Sequence, residues 1–241
     1  MKKFLSVLTV SALCLCLLYQ SAFAAAPPRK DGVIFSGNTS CGKRIALTFD
    51  DGPHPVRTPK ILDILGKYGV KATFFIVGAF AESYPEIVAD EHRRGHELAN
   101  HSFSHAKLSV MARPQIKDEI VRADEAIRKA SGITPKLFRP PEGAYSPDTV
   151  DVARSMGKET VIWTVDTKDW AKSPCNTMVE NIKKNVTSGS IILFHDCAGK
   201  DTQTIEALEI IIPYLISQGY EFVTVSELIA SEDKATERAE G

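Results

Sequence analysis

The sequence predicts an α/β fold: a single-domain, distorted (β/α) barrel with about seven parallel strands. Two observations carry this. From Lys43 onward, short apolar runs alternate with longer helical patterns, and a repeating strand–helix order calls for parallel strands joined by crossover helices. The polar residues with chemical potential stand at or just after the ends of those runs, at Asp50, Asp51, His101, His105, Arg139, Asp166, Asp169 and His195. In a barrel these strand ends share one face, where active sites form. An open doubly wound sheet is the alternative reading of the same alternation.

In order along the chain, the strand-like runs are 44–49, 72–77, 97–100, 137–139, 160–165, 190–194 and 221–225. Helical patterns fall near 58–67, 84–94, 114–130, 147–156, 175–187 and 203–218. Ser146-Pro147 puts a capping hydroxyl before a proline at the first helical position, and Gly69, Gly95, Gly132, Gly157 and Gly219 stand where helices should stop. Residues 25–42 contain Pro, Gly, Ser and Asn and read as a linker or loosely packed arm before the main domain at 43–230. Residues 231–241 are charged and poor in apolar side chains, which predicts a disordered tail.

A length of 241 residues with 44% hydrophobic content suits one sizeable domain. A net charge of −1 with no basic stripe gives no reason to expect a nucleic-acid partner, and no stable protein partner is expected. Lys2 and Lys3 precede an apolar stretch at 4–19, and Ala22-Phe23-Ala24 supplies small residues for a signal peptidase. We expect a signal peptide over 1–24, cleavage after Ala24, and a secreted or cell-envelope location. Cys41, Cys175 and Cys197 would remain, allowing at most one internal bridge. Cys175 and Cys197 each follow a strand on the same expected face, so a Cys175–Cys197 bridge and two free thiols are both open readings.

Asp50 and Asp51 end an apolar run. Burial disfavours both charges and the two repel each other, a conflict that a cation resolves. His101 and His105 complete a three-ligand set with Asp51, leaving a coordination position open, as in a catalytic metal site. As bland alternatives, Asp-Gly-Pro is also turn chemistry, and His54, His92 and His96 read as structural or surface histidines.

The ordered motifs Thr48-Phe49-Asp50-Asp51-Gly52-Pro53, His101-x-x-x-His105, Arg139-Pro140-Pro141-x-Gly143, Asp166-x-x-Asp169-Trp170 and Leu193-x-His195 resemble those of the polysaccharide deacetylases. This is carbohydrate esterase family 4, with the NodB-like domain. The resemblance implies that Asp51, His101 and His105 hold a divalent metal, zinc first, with Co2+, Ni2+ or Mn2+ able to substitute. It implies Asp50 as the base acting on a metal-activated water, and His195 as the acid that protonates the departing amine. Arg139 would position the base, and Asp169 would orient His195, with Asp166 as the alternative orienting acid. Trp170 and Leu193 would shape a pocket for the acetyl methyl. A backbone N–H at Glu142 would stabilise the oxyanion. Glu142 stands where many members carry an aromatic residue, so altered substrate preference is expected, and Tyr145 could offer a ring to the sugar.

The expected partner is therefore an N-acetylated glycan of the cell wall or a related polymer, and the expected activity is N-deacetylation. An O-acetyl xylan esterase on the same site, a non-catalytic glycan-binding module and a metal-storing protein are the rival readings. The complete acid, base and ligand set argues against the last two.

Overall fold

The computed structural model describes residues 29–39, 42–197 and 203–230. The expected leader, Cys41 and the expected tail lie outside the described residues. No described helix is long and apolar enough to cross a membrane.

The strands are β1 (Arg29–Lys30), β2 (Val33–Ile34), β3 (Arg44–Gly52), β4 (Thr73–Ile76), β5 (Glu97–Asn100), β6 (Leu137–Phe138), β7 (Glu159–Val161), β8 (Val165–Asp166), β9 (Ile191–His195) and β10 (Glu221–Val223). The helices are α1 (Arg57–Tyr68), α2 (Gly78–Ser83), α3 (Pro85–Arg93), α4 (Arg113–Ser131), α5 (Pro147–Ser155), α6 (Cys175–Asn185), α7 (Thr204–Ser217) and α8 (Val225–Ile229). The sheet runs β1-β2-β7-β6-β5-β4-β3-β9-β8, with β10 beside the start of β3. Among the described residues, only the β1–β2 pair is antiparallel.

This order forces curvature. β7 and β8 lie far apart in the sheet, yet only Ile162, Trp163 and Thr164 separate them in the chain. Four residue steps span at most about 14 Å, so the sheet must curl until its two flanks nearly meet. The run expected as one strand over 160–165 is therefore two, because the chain has to cross the gap: Ile162 N–H bonds to Ile34 on one flank and Thr164 N–H to Ile191 on the other.

Alternation along each strand then sorts the side chains. Ile45, Leu47 and Phe49 join the core between sheet and helices, where Phe49 stacks on Phe74 and Phe194. Ala46 joins a second cluster inside the barrel with Ile34, Phe75, Ala99, Leu137, Val161, Ile191 and Val223. The inward series on β3 continues through Thr48 to Asp50.

The segment expected as a loosely packed arm is in part a sheet element. Val33 and Ile34 are fully buried and pair with β7. The strand expected over 221–225 stops at Val223, and Val225 opens helix α8; Thr224 caps it, its hydroxyl accepting from Glu227 N–H while Glu227 reaches back to Thr224 N–H. The Cys175–Cys197 bridge is not formed, and both thiols are free. β8 and β9 are indeed neighbours, but β8 ends at Asp166 and a further turn carries the chain away before Cys175 opens α6.

Candidate active site

The C-terminal ends of β3, β5, β6 and β9 bring the expected residues to one mouth. Adjacent strand residues normally point to opposite faces, so Asp50 and Asp51 should diverge. The β3–β4 register slips between Asp50 and Gly52, and Asp51 takes a left-handed φ of 73°. This bulge turns Asp51 so that both carboxylates approach His101: its Nε2 lies 3.7 Å from Asp50 Oδ2 and 3.3 Å from Asp51 Oδ1. Ser102, His105, Glu142 and Lys168, also near these strand ends, share the left-handed conformation that side-chain-bearing residues rarely adopt.

Asp51, His101 and His105 place one donor atom each within 4.8 Å of one another. Asp51 Oδ1 is buried without a hydrogen-bond partner, although His105 Nε2 is 3.1 Å away. His101 Nδ1 lies 2.8 Å from the Arg139 carbonyl. That bond assigns the proton to Nδ1 and leaves Nε2 as a lone pair, the arrangement of a metal-ligating imidazole. An orphaned carboxylate oxygen facing two ring nitrogens is a set that fits a divalent cation. Burial would push the Asp51 carboxyl up, but the two histidines outweigh it and hold it far below the carboxylate range.

Arg139 is fully buried. Its Nη1 donates to Asp50 Oδ1 at 2.5 Å and to Thr48 Oγ1 at 3.0 Å. Nε and Nη2 donate to the Val161 and Ile162 carbonyls, and the guanidinium lies over Phe75. Burial pulls its pKa down while Asp50 opposes this. One Asp50 oxygen is thus fixed, and the other is turned toward His101.

Across the mouth, His195 Nδ1 lies 2.7 Å from Asp169 Oδ1. Asp169 also accepts from His195 N–H, Trp170 N–H and the Thr204 hydroxyl. Burial works against the imidazolium, but Asp169, with Asp50 and Asp51 behind it, pushes His195 up to about 9. Asp166 faces elsewhere, accepting from Lys168 N–H and the Trp170 indole.

The residues expected to touch substrate differ in setting. Trp170 is 57% exposed, whereas Leu193 is buried below His195 on β9. Tyr145 packs partly on the cluster of Val33, Val150 and Ile162. Glu142 is exposed in the turn after β6; the pKa of His105 is raised chiefly by its contact with Asp51, against burial, and Glu142 adds only a small share. His54, His92 and His96 lie outside the cluster: His54 Nδ1 accepts the N–H groups that start α1, and His96 Nδ1 accepts Ala72 N–H.

Reading the sequence missed Thr48, Thr204 and Asp196. Asp196 is buried against Gly52, accepts from the Thr58 hydroxyl, and burial pushes its carboxyl up to about 7. Its place directly after His195 was the available signal.

A carboxylate locked by arginine, an imidazole charged by a second carboxylate and a three-donor cation cluster, gathered on the strand ends of a curled α/β sheet, define a hydrolase. The chain belongs to the polysaccharide deacetylase family, whose pattern matches residues 37–161. It is 39% identical over 189 residues to the peptidoglycan-N-acetylglucosamine deacetylase of Bacillus cereus, covering 78% of this chain and 88% of that one. The crystal structure of the Bc1960 peptidoglycan N-acetylglucosamine deacetylase superposes with a TM-score of 0.79 at 37% identity, over 82% of this chain and 92% of that one. A family 4 acetyl xylan esterase from Clostridium thermocellum, solved with a cobalt ion, superposes with a TM-score of 0.72 at 40% identity, over 77% and 90%.

Proposed function

We propose that this chain is an exported, zinc-dependent N-deacetylase of N-acetylglucosamine units in peptidoglycan or a related polysaccharide. The observation that carries the reading is the presence of two separately held groups, the Asp50 carboxylate on Arg139 and the His195 imidazole on Asp169, beside one three-donor cluster. The similarity to a peptidoglycan-N-acetylglucosamine deacetylase supports the substrate class.

Asp51, His101 and His105 would hold the metal, which when bound lowers the pKa of water and polarises the acetamide carbonyl. Asp50 takes the proton that the attacking water loses. Arg139 keeps Asp50 from turning away and adds positive charge behind it. The water oxygen bonds to the acetyl carbon, the C–N bond breaks, and His195 Nε2 gives its proton to the leaving nitrogen. Acetate and a free amine result. Asp169 keeps His195 charged for that step, because an amine is a poor leaving group without a proton. Trp170 and Leu193 flank the position of the acetyl methyl, and the Glu142 N–H serves the oxyanion. The leader read at 1–24 underlies the proposed export.

The similarity to the acetyl xylan esterase favours one second reading, ester cleavage at the same site. Acetate release from N-acetylglucosamine oligomers, from peptidoglycan and from acetylated xylan decides between them, each with zinc and after chelation. Faster metal-dependent release from the amides supports the proposal. Release from xylan alone makes the protein an esterase, and release that ignores chelation removes the metal from the reaction.

A further inference from the structure

We propose that Glu119, on α4 and outside every motif named above, is a positioning residue for the metal cluster, acting through the loop between His101 and His105. The inference rests on the metal-site reading. The loop carries two ligands on backbone that is unfavourable in isolation, since Ser102 and His105 both have left-handed φ, 65° and 57°. Something outside the loop has to hold it.

Glu119 is 8% exposed. Its Oε2 accepts Phe103 N–H at 3.0 Å and Ser104 N–H at 2.8 Å, and its Oε1 accepts the Ser104 hydroxyl at 2.8 Å. Three donors on one buried carboxylate are charge-assisted and directional. The loop's carbonyls are held from the other side: Gly78 N–H and Ala79 N–H, at the start of α2, donate to Ser102 and Phe103. Arg122, one turn beyond Glu119 on α4, lies 3.7 Å over the Phe103 ring. Asn100 supplies the remaining brace, accepting Ser102 N–H. The carboxylate thus fixes the two residues immediately before His105, which is the more open ligand, its side chain 37% exposed. Glu119 sits within the buried stripe Ile116, Ile120, Ala123 and Ile127. An acid in such a stripe has no packing reason to be there and needs a polar partner.

Glutamine can keep all three bonds, because its oxygen can take the two N–H groups and its NH2 can donate to the Ser104 hydroxyl. Alanine keeps none. Zinc affinity of the full chain is measured by competition with a chromogenic chelator, beside thermal unfolding of the metal-free forms. We expect E119A to bind zinc at least about tenfold more weakly, the scale of losing outer support at a metal site, and E119Q to stay near the parent. Ser104→Ala removes one bond without opening a core cavity, and should weaken binding in the same direction by less; it carries the test if E119A does not fold. Unchanged zinc affinity in E119A, with or without a lower melting temperature, overturns the inference and leaves the metal site standing. E119Q as weak as E119A overturns the hydrogen-bond account. A parent that binds no divalent metal overturns the metal reading itself.

Discussion

Replacing Asp169 with asparagine isolates what one carboxylate does for His195, the proposed acid of the reaction. Asp169 is 1% exposed and both its oxygens accept, Oδ1 from His195 Nδ1 and Trp170 N–H, Oδ2 from His195 N–H and Thr204 Oγ1. The pair lifts His195 from the ordinary 6.5 to about 9, a preference for the imidazolium of about 3 kcal/mol. A raised pKa stabilises the fold fully below pH 6.5, and that contribution is lost as pH rises through about 9. Asparagine removes the charge and sets an NH2 against two buried donors, which costs about 1–3 kcal/mol in stability. A cation on Asp51, His101 and His105 pulls His195 down somewhat in parent and variant alike, so the comparison is between them. The assay is acetate release against pH at saturating zinc. In Asp169→Asn the alkaline limb of kcat should move from the parent's position toward 6.5, and kcat near neutral pH should fall by about 10²–10⁴, the usual scale of general-acid catalysis. An alkaline limb that stays in place in a folded variant would refute the assignment of His195 as an acid charged by Asp169.

Three further perturbations test the surrounding construction. Arg139→Lys leaves Asp50, Thr48 and the Val161 and Ile162 carbonyls short of donors, and should lower stability by about 3 kcal/mol or more in a denaturant titration. A Cβ on Gly52 overlaps both carboxylate oxygens of Asp196, so Gly52→Ala should push the end of β3 away and weaken zinc binding, read by chelator competition. Glu142→Tyr should change relative rates on chitin-type oligomers and peptidoglycan while leaving metal affinity alone; identical preferences would remove Glu142 from substrate selection.

Much of the frame was legible because its signals are local. The run 44–49 announces β3 as a short, nearly continuous apolar stretch, and the 19-residue helix α4 follows a buried stripe that needs no partner to be recognised. What was hidden depends on closure of the sheet. β1 and β2 have two residues each and become strands only because β7 offers an edge. The break between β7 and β8 reflects the gap the chain must cross, which no local pattern records. Helix α2 is short, ends just before Pro85 and lies outside the helical pattern expected near 84–94, which corresponds to α3 alone. α8 could have been found, since Thr224-Val225-Ser226-Glu227 is a capping-box sequence.

At the site, the residues proposed to carry chemistry stand out in the sequence as polar groups ending apolar runs. The structure gathers Asp50, Asp51, His101, His105, Arg139, Asp169 and His195 at one mouth, and favours Asp169 over Asp166 as the partner of His195. The bulge at Asp51 that lets neighbouring carboxylates converge is not visible in the sequence. Thr48 stands in a motif but has no role legible there, and Asn100, Thr204 and Glu119 stand in none; each acts through another residue, which an isolated hydroxyl, amide or acid does not announce.

The most direct test of the account is one variant measured two ways: zinc content and acetate release of Asp50→Asn on N-acetylglucosamine oligomers. Asp50 is assigned to proton transfer and Asp51, His101 and His105 to the metal, so the variant should keep its zinc and lose nearly all release. A variant that loses its zinc would make Asp50 a ligand, and one that keeps both would mean the base lies elsewhere.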